Sequence, residues 1–384
     1  MKRKMLLCAA LAGMLCFSCI QAEEPNAEAD IEECVILNAD GQPDPNIKGN
    51  VVVTNTRVMA QATPYIDLTK LKLEVTLTKG ATISPDPSQV LDYSSIQKFT
   101  VTSESGEWKK EYTVTIDTFD LPVKYKFEQS ELSESRKYFE FYETTEGKEG
   151  IIRQNIWASG NAGFSLTGAA ATPEGFPTVP IAKGKEGMGV SLETKSTGPF
   201  GEMVDMPIAA GNLFIGSFDV ANALNDAMRA TRFGLAFGKK PVEFKGWYKY
   251  RRGEVFTVVG EDGKATPDLT KQDTCDIYAV LYESAGLDQG TLDGNNVLSS
   301  PNIVALARVK IPEENILSAG EDIDASEWHY FDISFEELKP FDVKKSRNYE
   351  YNLAVVFTSS IQGAAFKGAV GSVLYVDEVE VVCE

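Results

Sequence analysis

The chain has 384 residues, 43% apolar and 24% charged, a balance close to that of folded globular proteins and far from disordered or membrane-embedded chains. Its formal net charge of -19 repels phosphate backbones and anionic headgroups, which argues against nucleic acid as a partner and against electrostatic attachment to a membrane. The length suits two or three domains of about 100 to 200 residues each.

The first element is a leader. Lys2, Arg3 and Lys4 precede an apolar run over residues 5–17, which stops at Ser18-Cys19 and gives way to Gln21, Ala22, Glu23, Glu24 and Pro25. A basic start, a short apolar stretch and a small residue make a secretory signal over residues 1–18, whereas a membrane span needs about 20 apolar residues. The arrangement around Cys19 resembles the lipobox of bacterial lipoproteins, with Cys16 where that motif usually has Leu. The resemblance implies that Cys19 is diacylated, that residues 19–30 are a lipidated linker, and that the lipid is the membrane contact. The acids after it resemble the surface-export signal of Bacteroidetes lipoproteins, which implies the outer membrane, facing outward. Ordinary cleavage near Ala22, giving a soluble periplasmic protein, is the alternative.

Beyond the leader and the lipid-bearing Cys19 only Cys34, Cys275 and Cys383 remain. Three thiols cannot all pair, and none has the Cys-x-x-Cys spacing of a zinc or redox site, so they read as small buried hydrophobes at strand ends.

Residues 31–117 carry a period of two. Leu71, Leu73, Val75 and Leu77 alternate with Lys72, Glu74, Thr76 and Thr78, as in a strand with one face buried and one wet. Phe99 to Thr102 and Tyr112 to Ile116 flank a turn containing Ser105-Gly106, a hairpin pattern in which Trp108 is expected to cover cross-strand neighbours. The runs Gly80-Ala81-Thr82-Ile83-Ser84-Pro85, Phe99-Thr100-Val101-Thr102-Ser103-Glu104-Ser105-Gly106 and Lys109-Lys110-Glu111-Tyr112-Thr113-Val114 resemble the immunoglobulin-like N-terminal module of Bacteroidetes surface lipoproteins. That resemblance implies a β-sandwich stalk and no chemistry.

Pro122 interrupts the chain, and residues 123–384 follow as a larger domain. Strands are expected over 125–128, 188–194, 213–220, 232–237, 277–282, 304–311, 328–335, 349–357 and 373–382, with one short helix over 221–230. Many strands without helical crossovers predict an antiparallel sandwich, most simply a jelly roll. The fold class is therefore all-β, an immunoglobulin-like β-sandwich followed by a larger jelly-roll β-sandwich. Tyr349, Tyr351, Leu353, Val355 and Phe357 fall on one core-facing side. Asp377 shares a face with Tyr375, Val379 and Val381, where a carboxylate must be satisfied; backbone and side-chain donors are favoured over a structural calcium, since no Asp-x-Asp-x-Asp loop is present. No other cofactor is called for.

Sugar rings stack their C–H faces on Trp or Tyr and bond their hydroxyls to planar polar groups. The strongest cluster of that kind is Trp247, Tyr248 and Tyr250 among Lys245, Lys249, Arg251 and Arg252, with Lys239 and Lys240 upstream. As a site it would hold a glycan bearing carboxylate or sulfate, through Arg251 or Arg252. As structure, its aromatics would pack the sandwich and its cations would pair with acids. Trp328, Tyr330 and Asp332 alternate with His329, Phe331 and Ile333, which places the first set on an outer face and the single histidine toward the core. With no nucleophile near His329, the pattern argues against serine- or cysteine-protease chemistry. Trp157, with Gln154 and Asn155, is a third candidate, from a Gly-rich loop.

Tyr125-Lys126-Phe127-Glu128 and Gly371-Ser372-Val373-Leu374-Tyr375-Val376-Asp377-Glu378-Val379 resemble the ends of the putative carbohydrate metabolism domain of Bacteroidetes, and also the terminal strands of jelly-roll carbohydrate-binding modules. The resemblance implies a polysaccharide or oligosaccharide partner without naming catalytic positions. A glycoside hydrolase needs two carboxylates about 5 to 9.5 Å apart. Asp273 and Asp276 near Tyr278, or Glu327 beside Trp328, can supply candidates, but no motif fixes a pair. A non-catalytic glycan-binding lipoprotein is the first reading, a hydrolase or lyase on surface polysaccharide the second, and a structural or adhesin-like surface protein the third.

Overall fold

Two separate cores organise the chain, one in residues 1–119 and one in residues 120–384. The computed structural model describes residues 25–384 except 64–65, 119, 148–149, 221 and 224–225. The secretory leader, Cys19 and the acids through Glu24 lie outside the described residues, as does part of the helix expected over 221–230. Among the described residues no helix is long and apolar enough to cross a membrane.

In the first unit the alternation of residues 71–77 becomes the strand Lys72–Leu77, paired antiparallel with Ile31–Leu37. A five-stranded sheet runs in the order Ile47–Val53, Arg57–Ala62, Lys109–Thr118, Gln97–Thr102, Thr82–Ser84, with the second and third strands parallel. Ile36, Val58, Leu73, Tyr93, Phe99, Tyr112 and Val114 form the core between the two layers. The expected hairpin is present: Thr102 pairs with Lys109, and Gly106, at φ 74°, takes the left-handed conformation that glycine adopts without steric cost. Trp108 departs from expectation. It sits where the turn re-enters the ladder, accepting the Ser103 amide through its own carbonyl, and its side chain is left 63% exposed. The end of the expected linker also belongs to this unit, since Asn26 N donates to Glu104 Oε2 at 2.8 Å and Ala29 is buried.

The second unit is a two-sheet sandwich. One sheet has the path Thr178–Ile181, Gly189–Glu193, Val373–Cys383, Pro241–Arg251, with His329–Ser334 also paired to Pro241–Arg251 and Lys124–Tyr125 to Val373–Cys383. The other has the path Trp157–Ala158, Asn212–Phe218, Tyr351–Thr358, Asp276–Glu283, Ile303–Arg308, Glu336–Glu337. The strand pairs named are antiparallel. Phe244, Tyr248, Tyr250, Val376 and Val379 of the first sheet are buried, as are Ile277, Leu281, Leu353, Val355 and Phe357 of the second.

Three local departures have physical causes. Residues 232–237 make two strands, Thr231–Phe233 and Leu235–Ala236, because Gly234 at φ 97° breaks the extended run. The helix is limited among described residues to Ala227–Ala230, capped by the Asp226 side chain on Arg229 N. The run 349–357 begins as a strand only at Tyr351, since Tyr349 has φ 54°, and from Tyr351 to Phe357 every residue is buried. Both faces of that strand are covered because Ala354 and Val356 join Phe214, Tyr278, Val280 and Tyr282 in a second apolar cluster with Phe233, Leu292 and Val297.

The last strand carries a bulge that relocates Asp377. The register skips between Lys245, opposite Glu380, and Trp247, opposite Asp377, and Glu378 takes φ 47°. Val379 and Val381 therefore point into the core while Asp377 shares the outer side with Trp247, not the core side that uninterrupted alternation predicts. The carboxylate is nonetheless buried. Lys185 N and Glu186 N donate to its Oδ2 at 2.6 and 3.0 Å, and Glu378 N to its Oδ1 at 2.8 Å. Backbone donors thus satisfy this acid. The turn carrying them passes close because Gly184 has no Cβ; one built there would lie 2.5 Å from Asp377 Oδ2.

Candidate functional site

Strand Pro241–Arg251 sorts its side chains by parity. Phe244, Tyr248 and Tyr250 are buried among the two sheets, and Tyr248 Oη receives Asn315 Nδ2 at 3.0 Å. Tyr248 and Tyr250 are therefore core residues and leave the set of candidate sugar contacts. Trp247 points the other way, directly across from Tyr330 of strand His329–Ser334, with ring centroids 5.0 Å apart. Trp328, just before that strand, sits 6.5 Å from the ring of Tyr375, which lies opposite Lys249 in the last strand. Three neighbouring strands thus bring Trp247, Tyr330, Trp328 and Tyr375 onto one outer face.

Polar groups border these rings. Tyr330, 49% exposed, lies beside exposed Asp332, its Oη 3.5 Å from Asp332 Oδ2. Tyr375 Oη donates to Asp324 Oδ1 at 3.1 Å. Lys185 Nζ stands 3.9 Å over the Trp247 ring, a contact worth about 0.5–1 kcal/mol at an accessible position, and Lys249 Nζ 5.2 Å over that of Trp328.

The cations of this strand are already engaged. Arg252 forms a two-pronged pair with Glu313, Nη1 to Oε1 at 2.6 Å and Nη2 to Oε2 at 3.0 Å, and its Nε reaches Asp273 O. Arg251 Nη1 donates to Glu321 O at 3.2 Å. Lys249 is buried, with Nζ 3.2 Å from the carbonyls of Ile323 and Asp324, and burial pulls its pKa down. Lys245 lies between Glu243 and Glu380, Lys239 pairs with Asp120 at 2.7 Å, and Lys240 with Glu384 at 3.3 Å. Four cations of the basic island, Arg252, Lys245, Lys239 and Lys240, are thus paired with acids, while Arg251 and Lys249 bond main-chain carbonyls; the Arg252 fork is taken up by Glu313 and is not open to an anionic glycan.

Trp157 does not project from a loop. It lies in strand Trp157–Ala158, 8% exposed, packed on Tyr125, Phe127 and Phe357 at 5.1, 5.3 and 6.1 Å, because the residues around it close the edge of the sandwich. Only its margin reaches a groove of about 370 Å³ shared with Tyr138, Glu140, Arg153 and Asn155. Its Nε1 donates to Glu143 Oε1 at 3.0 Å, and burial pushes that carboxyl up to about 7.

Neither acid proposed for a catalytic pair is free. Asp273 Oδ2 receives Ser360 Oγ, Ser372 Oγ and Ala369 N at 2.6, 2.7 and 2.7 Å, while Asp276 is gripped by Arg308 Nε and Nη2 at 2.9 and 2.7 Å. Glu327 is exposed beside Trp328. His329 packs its ring 5.7 Å from Tyr248, on the inner side as alternation requires.

Two all-β units, the larger a two-sheet sandwich with aromatic rings on an outer face, define a modular β-sandwich protein. The chain belongs to the putative carbohydrate metabolism domain family, whose model matches residues 126–382; residues 42–116 match a second family described as SGBP, N-terminal. A crystal structure of a putative glycoside hydrolase from Bacteroides thetaiotaomicron is 42% identical, covers 94% of this chain and 98% of its own, and superposes with a TM-score of 0.65. Another from Bacteroides vulgatus is 37% identical over 69% of this chain and 99% of its own, with a TM-score of 0.59. None of the curated proteins compared with the chain matches it.

Proposed function

We propose that the larger unit binds an uncharged glycan across the Trp247–Tyr330 and Trp328–Tyr375 pairs, as part of polysaccharide utilisation at the cell surface. The observation that carries this reading is the convergence of four aromatic rings from adjacent strands on one face, bordered by the carboxylates of Asp332 and Asp324, which disfavour an anionic ligand. Pyranose C–H faces would lie on the rings, and sugar hydroxyls would bond Asp332 and the Tyr375–Asp324 pair. The match to SGBP, an abbreviation of surface glycan-binding protein, supports both the ligand class and the location.

A glycan array followed by calorimetry on the mature protein tests the reading. Tyr330→Ala, Trp247→Ala and Trp328→Ala should each weaken binding about tenfold or more, roughly 1.4 kcal/mol, with neutral polymers preferred to uronic or sulfated ones. Unchanged affinity in all three variants, or a preference for anionic polymers, would overturn it. The names of the related structures favour a second reading, a glycoside hydrolase; release of reducing ends from a bound polymer by the wild type would establish it.

The proposed surface location runs through Cys19. Metabolic labelling with palmitate should mark the wild-type protein and leave Cys19→Ala unlabelled. Labelling that persists in the variant removes the lipid-anchor reading.

A further inference from the structure

The two sheets of the sandwich differ in what lies outside them. The outer face carrying Trp247 bears exposed Tyr330 and Asp332, whereas that of the other sheet is roofed, so that Phe214, Tyr278, Val280, Tyr282 and Val356 are buried. At one end the roof stands away from the sheet and leaves a cavity of about 270 Å³. Phe200, Met206, Phe218 and Met228 form much of its wall, over Tyr278 and Val356. Protein interiors have few voids larger than a water molecule, and an apolar cavity of about 150 Å³ is enough to hold benzene.

The polar groups around the cavity narrow the ligand. Asp276 lines it, but Arg308 occupies both of its oxygens. Asn161 and Asn212 spend their amides on the carbonyls of Thr178 and Ala210. Thr358 Oγ1 donates to Ser360 O. Tyr278 differs: its hydroxyl has no hydrogen-bond partner among the described residues, although its ring is buried. An ion entering here would find no counter-charge, whereas an uncharged ring with one polar substituent would find an apolar wall and one hydroxyl to bond.

We propose that this cavity is a binding site for a small uncharged molecule with an apolar ring-sized body and a single hydroxyl or carbonyl group, which bonds the Tyr278 hydroxyl. The site is separate from the aromatic face and independent of whether that face binds sugar.

The full mature chain tests it with N-phenyl-1-naphthylamine, a neutral fluorophore, and with thymol as a competitor. Saturable one-to-one fluorescence enhancement is expected, reversed by thymol and not by benzoate. Ala364, exposed at the cavity rim, offers a way to close the mouth from outside: Ala364→Trp should weaken the fluorophore at least tenfold at an unchanged unfolding midpoint. If that variant lowers the midpoint, Ile361→Arg, at a rim position 39% exposed, decides in its place. Tyr278→Phe should weaken thymol several-fold, and Trp247→Ala should leave both ligands unaffected. The proposal is overturned by the absence of saturable enhancement, by fluorophore binding that survives a closed rim, or by its loss in Trp247→Ala.

Discussion

Glu143 is a carboxylate whose ionisation the fold opposes. Burial raises its pKa from an ordinary 4.5 to about 7, and the Trp157 indole N–H offsets only part of that. Because the folded value lies above the unfolded one, the contribution to stability is intact below about pH 4.5 and is lost as the pH rises through 7. Glu143→Gln keeps an acceptor for Trp157 and removes the charge. Thermal unfolding at pH 8 should show the variant more stable by about 1–2 kcal/mol, after allowance for partial solvent access, with the difference vanishing near pH 4. An equal pH dependence in both proteins would exclude this account. The cysteines show the same effect of burial: Cys34 is raised to about 12 and Cys383 to about 11. Cys275 and Cys383 sit at strand ends as their surroundings in the sequence suggest, while Cys34 lies within strand Ile31–Leu37.

At the scale of elements, strand Pro241–Arg251 separates folding from recognition by one residue. Tyr248→Ala removes a fully buried ring and should cost about 3–5 kcal/mol, read as a large fall in unfolding midpoint, while Trp247→Ala should leave the midpoint nearly unchanged and lower glycan affinity. Equal destabilisation by the two would mean that Trp247 is structural. The alternation behind this was legible in the sequence, as was the outward stripe of Trp328, Tyr330 and Asp332. What joined Trp247 to Tyr330, and Tyr375 to Trp328, was strand order, which a period of two does not specify. The bulge at Glu378 was equally hidden. It reverses the facing of Val379 and Val381 relative to Asp377, and no local residue type announces it.

For the whole molecule, the all-β class was legible because alternation recurs along the chain and no helical crossovers interrupt it. The cover on the sheet that contains Asp276–Glu283 and Tyr351–Thr358 is not written in any local pattern. Its segments contain mainly turns and very short helices, whose packing is set by side chains far apart in sequence, such as Leu292 and Val297 in one cluster with Phe214 and Val356. The basic island misled for a related reason: its partners, Asp120, Glu313, Glu380 and Glu384, are distant along the chain.

That pairing has a consequence for the conditions under which the protein would work. Arg252 and Lys245 are held by acids within the unit, and Lys249 by main-chain carbonyls, so these three would shed few mobile counterions if a neutral polymer settled on the aromatic face. A chain with a formal net charge of -19 would then recognise its ligand without an ionic contribution. Raising sodium chloride from 20 to 500 mM, about a fivefold fall in Debye length, should leave the glycan dissociation constant within about twofold, and a steep salt slope would show that charge is being read after all. Recognition of this kind is indifferent to the salinity of the surroundings, which a cell does not control beyond its own surface.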